Sequence, residues 1–434
     1  MLMLLTVPVR QVITPSRLPP FLATMPSYGG TLAAVRSLGA LGIPVTVASS
    51  DFLDAARWSR YATRWVKCPP IAKLELFVEW LIAFGKREPG HVLYPSDDET
   101  AWIISNHADE LGKNFRFFEP PPGALEQLLD KKSLYLLCVS LGVETVPTWF
   151  PETAAEVSQL ADSLPYPVLI KPRSQLFVGS NTKGKVVSDR SLLAGEHEAF
   201  LSRRRALLGA ERDNGALPPP MLQRYFPEAP NGIYTLSGFI DGERFLARAA
   251  LKVLQRPRRA GIGICFSEAP VEPKPLDAVL RICRKVGYRG VFEVEFIRDG
   301  DRRLLIDFNP RFYGQMAFDI ARGMPLALLA WQAACGERAA LQQELDAANG
   351  RTSDVKAYCD RLFFHLVLLP KRLTGRMSSE EYAGWRRWYS NHRTRCVDGF
   401  AQRGDMKPGA AYALSTLKSV LLHPRSLLRE YVLE

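Results

Sequence analysis

A segment near residue 300 combines a hairpin pattern with an unusual set of polar residues. Residues 290–299 and 304–309 form two short apolar runs, and the Asp-Gly pair at 299–300 separates them. This pattern predicts a β-hairpin. Four polar residues interrupt the apolar runs: Glu293, Glu295, Asp307 and Asn309.

These four side chains are expected to meet on one face. Side chains alternate between the two faces of a strand, so the two glutamates share a face, and so do the aspartate and the asparagine. A three-residue loop, residues 300–302, places Glu295 opposite Asp307. The same register places Glu293 opposite Asn309. A two-residue turn shifts the pairing by one residue and favours the alternative, a surface hairpin that is polar on both sides.

Carboxylates that converge in this way need a counter-charge. Two of them about 4 Å apart repel by roughly 4 kcal/mol at an effective dielectric of about 20. A hard divalent cation removes that cost, because Mg²⁺ binds carboxylate and amide oxygens together with substrate phosphates. Arg311 follows Pro310 and offers a planar fork of donors to phosphate oxygens. The hairpin therefore predicts a site for a metal ion and a phosphate.

The composition is that of a globular protein with several domains. The chain has 434 residues, of which 47% are hydrophobic and 23% charged. The seven cysteines lack paired metal-ligand spacing, which argues against a structural zinc and against a disulfide framework. No apolar run reaches the roughly 18 residues that span a bilayer. The start of the chain lacks the features of a signal peptide, and we expect a cytoplasmic location.

The positive charge is concentrated at the C-terminal end. Residues 351–434 contain 15 Lys and Arg against 8 Asp and Glu, so this last fifth carries +7 of the net +11. Two apolar stretches there, 363–369 and 417–422, have basic neighbours. Such stretches can lie on an anionic membrane, but they also describe helices that pack on the core with basic residues in solvent. We expect a helical appendage, with peripheral membrane contact as the minority interpretation and no nucleic-acid partner.

The N-terminal part reads as a β-α-β unit. Residues 21–25 form a predicted strand, residues 31–41 an amphipathic helix, and residues 43–48 the next strand, which predicts a parallel sheet. The glycines at the turn before the helix could receive an anion at the helix N-terminus. A further strand at 92–94 ends in the acidic run 95–99, which suits either a ligand site or the start of a helix.

One phosphate-binding motif is only approximate. Residues 179–185 fit the first part of a P-loop, but Val186 stands where a Ser or Thr should bind Mg²⁺. The following residues continue as a strand, whereas a P-loop opens a helix. A Gly/Lys loop that contacts phosphates, with Lys185 at its end, is the alternative.

The order of these elements resembles the ATP-grasp superfamily over roughly residues 21–340. Residues 130–132 are similar to the entry into the grasp, and the strand 167–172 to the nucleotide-contacting strand. Residues 223–227 resemble the hinge strand that meets the adenine. The most specific similarity is Glu295-Phe296 followed by residues 307–311. Within the superfamily the chain most resembles carboxylate–amine ligases of the D-aspartate ligase type, and it resembles biotin carboxylase less.

The resemblance implies a mixed α/β and α+β architecture with four parts. A leader arm (1–19) precedes an N-terminal parallel α/β domain (20–119). The two-lobed ATP-grasp domain (120–340) divides at about residue 220, into lobes 120–220 and 221–340. The last part is a basic, mostly helical C-terminal region (341–434).

The resemblance also implies the site residues and the cofactors, which are ATP and Mg²⁺ or Mn²⁺. The expected metal ligands are Glu295, Asp307 and Asn309. The expected catalytic residues are Arg311 and Lys171. The expected nucleotide-binding residues are Lys131, Lys171, Lys185, Gln223, Arg224, Tyr225, Phe226 and Glu228. The chain departs from the family pattern at Asp307, where Glu is usual, and at Arg224, where Glu is common beside Gln223.

The implied function is an ATP-dependent ligase with small-molecule carboxylate and amine substrates. ATP would phosphorylate the carboxylate, and the amine would attack the acyl phosphate, with release of ADP and phosphate. One alternative is a non-catalytic nucleotide-binding or scaffolding protein that keeps the fold. Another is an ATP-grasp carboxylase with the same half-reaction and a different acceptor.

Overall fold

The computed structural model describes residues 18–118, 120–174, 176, 184–208, 217–229, 232–256 and 261–424. Most of the expected leader arm and of the Gly/Lys loop lies outside the described residues. The strands are β1 (Phe21–Ala23), β2 (Val45–Ser49), β3 (Arg64–Lys67), β4 (Val92–Leu93), β5 (Thr148–Trp149), β6 (Val168–Lys171), β7 (Lys185–Val187), β8 (Met221–Arg224), β9 (Ile233–Asp241), β10 (Arg244–Arg256), β11 (Ile262–Ala269), β12 (Gly290–Asp299), β13 (Arg302–Asn309), β14 (Ala357–Cys359) and β15 (Cys396–Val397).

Fifteen α-helices are found among the described residues. They are α1 (Gly29–Ala40), α2 (Leu74–Arg87), α3 (Asp98–Asn106), α4 (Ala108–Leu111), α5 (Ala124–Leu129), α6 (Lys131–Ser140), α7 (Ala154–Ala161), α8 (Arg190–Leu208), α9 (Pro273–Val286), α10 (Met316–Ala321), α11 (Leu326–Cys335), α12 (Arg338–Asn349), α13 (Arg361–Leu373), α14 (Ser379–His392) and α15 (Lys407–Leu422). Two short 3-10 helices span Ala55–Trp58 and Arg393–Arg395.

The N-terminal part is a four-stranded parallel sheet in the order β3-β2-β1-β4. The predicted β-α-β unit is confirmed as β1, α1 and β2. The edge strand β3 was not predicted. Three of its four side chains are exposed, so the segment lacks the buried apolar pattern by which a strand is recognised in a sequence.

The largest sheet has seven strands in the order β13-β12-β9-β10-β11-β14-β15. Its strands are antiparallel except for the pair β14 and β15. A smaller antiparallel sheet has the order β5-β8-β6-β7. This sheet forms one lobe, and the seven-stranded sheet forms the other. The parallel domain and the two lobes agree with the predicted fold class, which is confirmed.

Helix ends near the site are fixed by side chains that the sequence places there. The Asp97 carboxylate caps α3 by accepting a 2.8 Å hydrogen bond from the Thr100 amide. The Asp130 carboxylate caps α6 by accepting from the Ser133 amide at 2.8 Å. These caps set the directions of two helices whose first residues, Asp98 and Lys131, face the cavity described below.

The polar hairpin forms with the predicted register but with a different turn. Glu295 lies opposite Asp307, and Glu293 lies opposite Asn309. The expected three-residue loop is wrong, because Asp299 pairs with Arg302 and only two residues separate the strands. A register shift between Glu295 and Phe296 then places an extra residue on β13. This β-bulge offsets the shorter turn and returns the polar residues to one face.

The C-terminal region is mostly helical and also contributes β14 and β15 to the large sheet. Phe363, Phe364 and Val367 on α13 are buried in an apolar cluster with Leu254 and Ile264 of that sheet. The region also contacts the N-terminal domain, since the buried Arg36 donates a 2.8 Å hydrogen bond to Asp405. Its first apolar stretch is therefore part of the core. Among the described residues, no helix is both long and apolar enough to cross a membrane.

Candidate functional site

A cavity of about 420 Å³ lies where the two lobes and the N-terminal domain meet. Most of the predicted site residues line it. They are Lys131, Lys171, Gln223, Arg224, Tyr225, Phe226, Glu295, Asp307, Asn309 and Arg311. The polar residues come from the large sheet, from α6 and, for Lys171, from β6 of the smaller sheet, and the hinge residues come from the end of β8 and the segment after it. The structure thus brings together groups that lie far apart in the chain.

Each predicted metal-binding carboxylate is paired with a lysine. Lys131 forms an ion pair with Asp307, and Lys252 forms one with Glu295. Lys252 is 4% exposed, so its charge is largely removed from water. A buried charge is costly unless it is paired. Each ion pair therefore offsets the cost of burying both the hairpin carboxylate and its lysine.

The charges around Asp307 shift two pKa values. Burial alone would raise the pKa of Asp307, but the nearby Lys131 and Lys171 outweigh it and lower the value to about 2. Burial lowers the pKa of Lys171 to about 8, with a further contribution from the positive charge of Lys131. Asp307 is therefore ionised at neutral pH, and Lys171 loses its proton far more easily than a lysine in water.

The second cross-strand pair is a hydrogen-bonded network. Asn309 Nδ2 donates to Glu293 Oε2 at 2.6 Å, and Gln315 Nε2 donates to Glu293 Oε1 at 3.1 Å. Burial and the charge of Glu295 raise the pKa of Glu293 to about 7. Glu293 therefore fixes the orientation of the Asn309 amide and leaves the amide oxygen directed away from it.

Arg311 links this network to the N-terminal domain. Its Nε donates a 2.6 Å hydrogen bond to Asp98, and one Nη donates to the Tyr28 hydroxyl at 3.2 Å. The other Nη donates to Asn309 Oδ1 at 2.8 Å. Burial alone would lower the pKa of Arg311, but Asp98 outweighs it, and the guanidinium keeps its charge. Arg311 is therefore held in one orientation at the wall of the cavity.

The two glycines that begin α1 serve a close contact. A Cβ on Gly29 would lie 2.6 Å from the Gly314 carbonyl oxygen, and one on Gly30 would lie 2.6 Å from the Tyr313 carbonyl oxygen. Only glycine permits the helix to approach the segment after Arg311 so closely. An anion site at this turn is not needed to explain its glycines.

The hinge residues form the less polar part of the cavity. Gln223 Nε2 donates to Thr148 Oγ1 at 3.1 Å, and the Tyr225 amide donates to the Pro167 carbonyl at 3.2 Å. The Arg224 guanidinium lies 5.0 Å from the centre of the Phe226 ring. Apolar residues from both lobes complete this wall, including Leu129, Leu169, Ile233, Ile297 and Ile306.

Two predicted nucleotide-binding residues do not line the cavity. Lys185 is on β7 and forms a 3.3 Å ion pair with Glu196 of α8. Glu228 is exposed in the segment after β8. Their assignment to the nucleotide site stays a prediction, since neither residue lines this cavity.

Several residues of the site are not assigned by the sequence. In the sequence, Lys252 and the basic residues Arg256, Arg258 and Arg259 suit either a substrate carboxylate or a surface loop, and the loop is slightly favoured. The structure buries Lys252 on β10. Its signal is its position at the end of the apolar run 245–251. Asp98, Tyr28 and Gln315 also line the cavity and lie far in sequence from the hairpin. Nothing local in the sequence connects Asp98 or Tyr28 with Arg311.

The oxygen atoms of the predicted metal ligands suit a hard cation, although the carboxylates are paired with lysines in this structure. Within the described part of the chain, no three His, Cys, Asp or Glu side chains form a group that could hold a metal ion. The carboxylates of Glu295 and Asp307 and the amide oxygen of Asn309 nevertheless line one cavity. Oxygen donors of this kind fit Mg²⁺ or Mn²⁺ once the carboxylates exchange their lysine partners for a metal.

The curated proteins that match this chain are large subunits of one enzyme. The chain is 25% identical over 260 residues to the carbamoyl phosphate synthase large chain of Thermus thermophilus, a match that covers 58% of this chain and 23% of that protein. It is 25% identical over 197 residues to the arginine-specific carbamoyl phosphate synthase large chain of Bacillus subtilis, covering 43% and 17%. The chain thus spans about a quarter or less of the length of these relatives. No family model matches the chain.

Solved structures share the fold at low identity. Biotin carboxylase of Campylobacter jejuni has a TM-score of 0.58 at 16% identity, over 73% of this chain and 70% of that one. N5-carboxyaminoimidazole synthetase of Staphylococcus aureus has a TM-score of 0.53 at 14% identity, over 73% and 78%. Together with the sequence matches, these similarities agree with the parallel domain and the two lobes described above. The chain therefore has the ATP-grasp fold, and its sequence is similar to carbamoyl phosphate synthase large chains.

Proposed function

We propose that this chain is an ATP-dependent ligase that joins a carboxylate to an amine and releases ADP and phosphate. The observation that carries the proposal is the convergence of four cations on the hairpin carboxylates. Lys131, Lys171, Lys252 and Arg311 all line the cavity with Glu295 and Asp307. A site built in this way suits a ligand that carries several negative charges together with a cation.

The residues that line the cavity suit the two parts of ATP. The apolar wall beside Phe226 can cover a base, and the hinge backbone offers polar groups at its edge. The lysines of the lining would contact the phosphates that extend from the base. Lys131 and Lys252 would then move their ammonium groups from the carboxylates to phosphate oxygens.

Glu295, Asp307 and Asn309 would hold the metal ion. When bound, Mg²⁺ would neutralise phosphate charge and orient the terminal phosphate. Hydrogen bonds with Glu293 and Arg311 hold the Asn309 amide in place, so this ligand is oriented before the metal binds. The low pKa of Asp307 keeps its carboxylate ionised and ready to bind a cation.

The reaction would proceed in two transfers. A carboxylate oxygen of the substrate attacks the γ-phosphorus, the bond from phosphorus to the ADP oxygen breaks, and an acyl phosphate forms. The amine nitrogen then forms the C–N bond, and phosphate leaves as the acyl C–O bond breaks, with loss of a proton from the nitrogen. Lys171 and Arg311 would stabilise the negative charge on the transferred group, and positioning would supply the remaining catalysis.

An interception experiment tests this chemistry. With ATP, Mg²⁺ and a panel of carboxylates, hydroxylamine should capture the acyl phosphate as a hydroxamate, and ADP should appear in equal amount. Lys171→Ala should abolish both products. Formation of AMP and pyrophosphate would indicate adenylate chemistry and contradict the proposal.

Bicarbonate belongs in the same panel, because one of the similar structures is a biotin carboxylase. Activity with bicarbonate alone would favour a carboxylase over a carboxylate–amine ligase. Tight MgATP binding without ADP formation across the whole panel would favour a non-catalytic nucleotide-binding protein.

A further inference from the structure

An aromatic and basic surface lies on the N-terminal domain, far in sequence from the site residues of the large sheet. The exposed side chains of Phe52 and Trp65 both contact Arg57, whose guanidinium is 3.6 Å from the centre of the Trp65 ring and 4.9 Å from that of Phe52. Trp58 contacts Phe52 edge to face, with ring centres 4.9 Å apart. Phe52 is 60% exposed and Trp65 is 46% exposed, which is unusual for large aromatic residues without a partner.

Helix α15 extends this surface with leucines. The helix packs against the 3-10 helix that contains Arg57 and Trp58. Lys418 of α15 forms a 3.0 Å ion pair with Asp51, the residue before Phe52. The ion pair fixes the C-terminal half of α15 beside the aromatic residues.

The outer face of α15 is apolar. Leu414, Leu417 and Leu421 are spaced by three and four residues, so they share one face of the helix. They are 54%, 52% and 72% exposed. In an ordinary surface helix the solvent-facing side is polar. A row of three exposed leucines beside exposed aromatic rings therefore indicates a surface that binds a partner.

The charge around these residues is positive. Trp65 and Lys67 are two apart on β3 and both are exposed, so the lysine lies on the same face of the strand as the indole. Lys418 already neutralises Asp51. Within the described part of the chain, neither Arg57 nor Lys67 forms an ion pair with a carboxylate. The surface therefore combines apolar side chains and indoles with an excess of basic residues, since Arg57, Lys67 and Lys418 lie near the single carboxylate of Asp51.

We propose that this surface, formed by Phe52, Trp65, Leu414, Leu417 and Leu421, docks on an anionic lipid bilayer. The leucines of α15 enter the boundary between headgroups and acyl chains, as amphipathic interfacial helices do. The indole of Trp65 lies at headgroup level, where tryptophan is enriched. Arg57 and Lys67 face the lipid phosphates.

Charge complementarity favours a membrane over a second copy of this chain. The net charge is +11, so two copies brought together on their basic surfaces would repel each other. An anionic bilayer instead attracts the same surface. The contact is peripheral, since α15 has 16 residues and no helix in the described part of the chain can cross a membrane.

Vesicle sedimentation with the full chain tests the proposal. At low salt the protein should sediment with phosphatidylcholine vesicles that contain phosphatidylglycerol, and should bind pure phosphatidylcholine vesicles far more weakly. The double variant Leu417→Glu/Leu421→Glu should lower the partition coefficient by at least about tenfold, because it removes apolar burial and adds negative charge. Its melting temperature should stay close to that of the original protein, since both side chains are exposed.

A matched control and a second variant separate the possible outcomes. Leu136→Glu/Val139→Glu changes two comparably exposed residues on α6 and should leave vesicle binding unchanged. Lys67→Glu keeps the apolar face and should also weaken binding to the anionic vesicles.

Three outcomes would overturn the proposal: no sedimentation at low salt, equal sedimentation of the double variant and the control, or no effect of Lys67→Glu. A dimer of the original protein that the double variant converts to a monomer would also overturn it and assign the surface to a second copy.

Discussion

Asp98 at the start of α3 accepts a 2.6 Å hydrogen bond from Arg311, the residue that follows the polar hairpin by two positions. This ion pair joins the parallel N-terminal domain to the large sheet at the wall of the cavity. Arg311 also bonds to Asn309, so the N-terminal domain helps to orient a predicted metal ligand. The two domains therefore form one site, and a substitution in one domain should alter the orientation of site residues in the other.

The first prediction concerns that ion pair. Asp98→Asn should lower kcat/KM for ATP-dependent ADP formation by about 10- to 100-fold, because Arg311 loses its charged partner and moves from the position in which, under the proposed function, it would face the phosphate. Tyr28→Phe removes a neutral acceptor from the same guanidinium and should have a smaller effect. Steady-state kinetics of both variants provide the test. Equal losses in the two variants would mean that Asp98 has no special role in holding Arg311.

The second prediction concerns the metal ligands. Glu295→Gln should weaken MgATP binding in a calorimetric titration, because one carboxylate of the metal site is lost. It should also destabilise the ligand-free protein by about 1–3 kcal/mol, since the buried Lys252 is left without its carboxylate. From the sequence alone, Glu295 has only the like charge of Asp307 as a neighbour, and no such destabilisation is expected.

A double variant isolates the Lys252–Glu295 pair. Lys252→Met combined with Glu295→Gln removes both charges and should recover most of the lost stability while MgATP binding stays weak. Thermal unfolding and titration measure the two properties separately. Unchanged MgATP affinity in both Glu295→Gln and Asp307→Asn would show that the metal binds elsewhere.

The third prediction compares two lysines. Lys131→Ala should weaken ATP binding by about tenfold or more, because Lys131 lines the cavity and would contact phosphate. Lys185→Ala should leave the affinity nearly unchanged, because the structure pairs Lys185 with Glu196 outside the lining. Fluorescent nucleotide titration measures both. A strong effect of Lys185→Ala would support the assignment of this residue to the nucleotide site.

The fourth prediction concerns the C-terminal region. A chain that ends at residue 350 lacks β14 and α13, which cover Leu254 and Ile264 of the large sheet. The truncated protein should aggregate or fail to unfold cooperatively, because this apolar surface would face water. A chain that ends at residue 424 keeps those contacts and should unfold cooperatively. A folded, soluble protein ending at residue 350 would show that the region is a separate unit.

The sequence predicts the polar residues of the hairpin better than it predicts the turn that joins its two strands. Strand alternation places Glu293 with Glu295, and Asp307 with Asn309, on shared faces, and this holds because a pattern of period two is local. The predicted turn length is wrong by one residue, and the β-bulge beside Glu295 compensates for it. A bulge leaves no distinct signal in a single sequence, so the correct register rests on two offsetting features.

Contacts between distant segments could not be predicted in the same way. Lys252 reaches Glu295 only because β9 lies between β10 and β12 in the sheet, and that order is a property of the whole fold. Arg311 likewise meets Asp98 only because the N-terminal domain packs against the end of the hairpin. Residue types and spacing identify candidate groups, whereas their partners depend on how the domains assemble.

The last prediction concerns the pH dependence of nucleotide binding. Burial and the charge of Lys131 lower the pKa of Lys171 to about 8 from an ordinary value of 10.5. Below pH 8 the ammonium is already protonated in the free protein. Above pH 8 it is increasingly neutral, and a bound phosphate should restore its proton. Binding of MgATP should therefore take up close to one proton near pH 9, and the affinity should fall by up to about tenfold per pH unit above the pKa.

Calorimetry in buffers of different ionisation enthalpy measures this proton uptake directly. ATP phosphates have lost their last proton well below pH 8, since the pKa of such groups is about 6, so they do not contribute in this range. Lys171→Arg keeps the positive charge at all accessible pH values, and its binding should show no proton uptake. Proton uptake of the same size in Lys171→Arg would assign the titration to another group and remove Lys171 from the phosphate site.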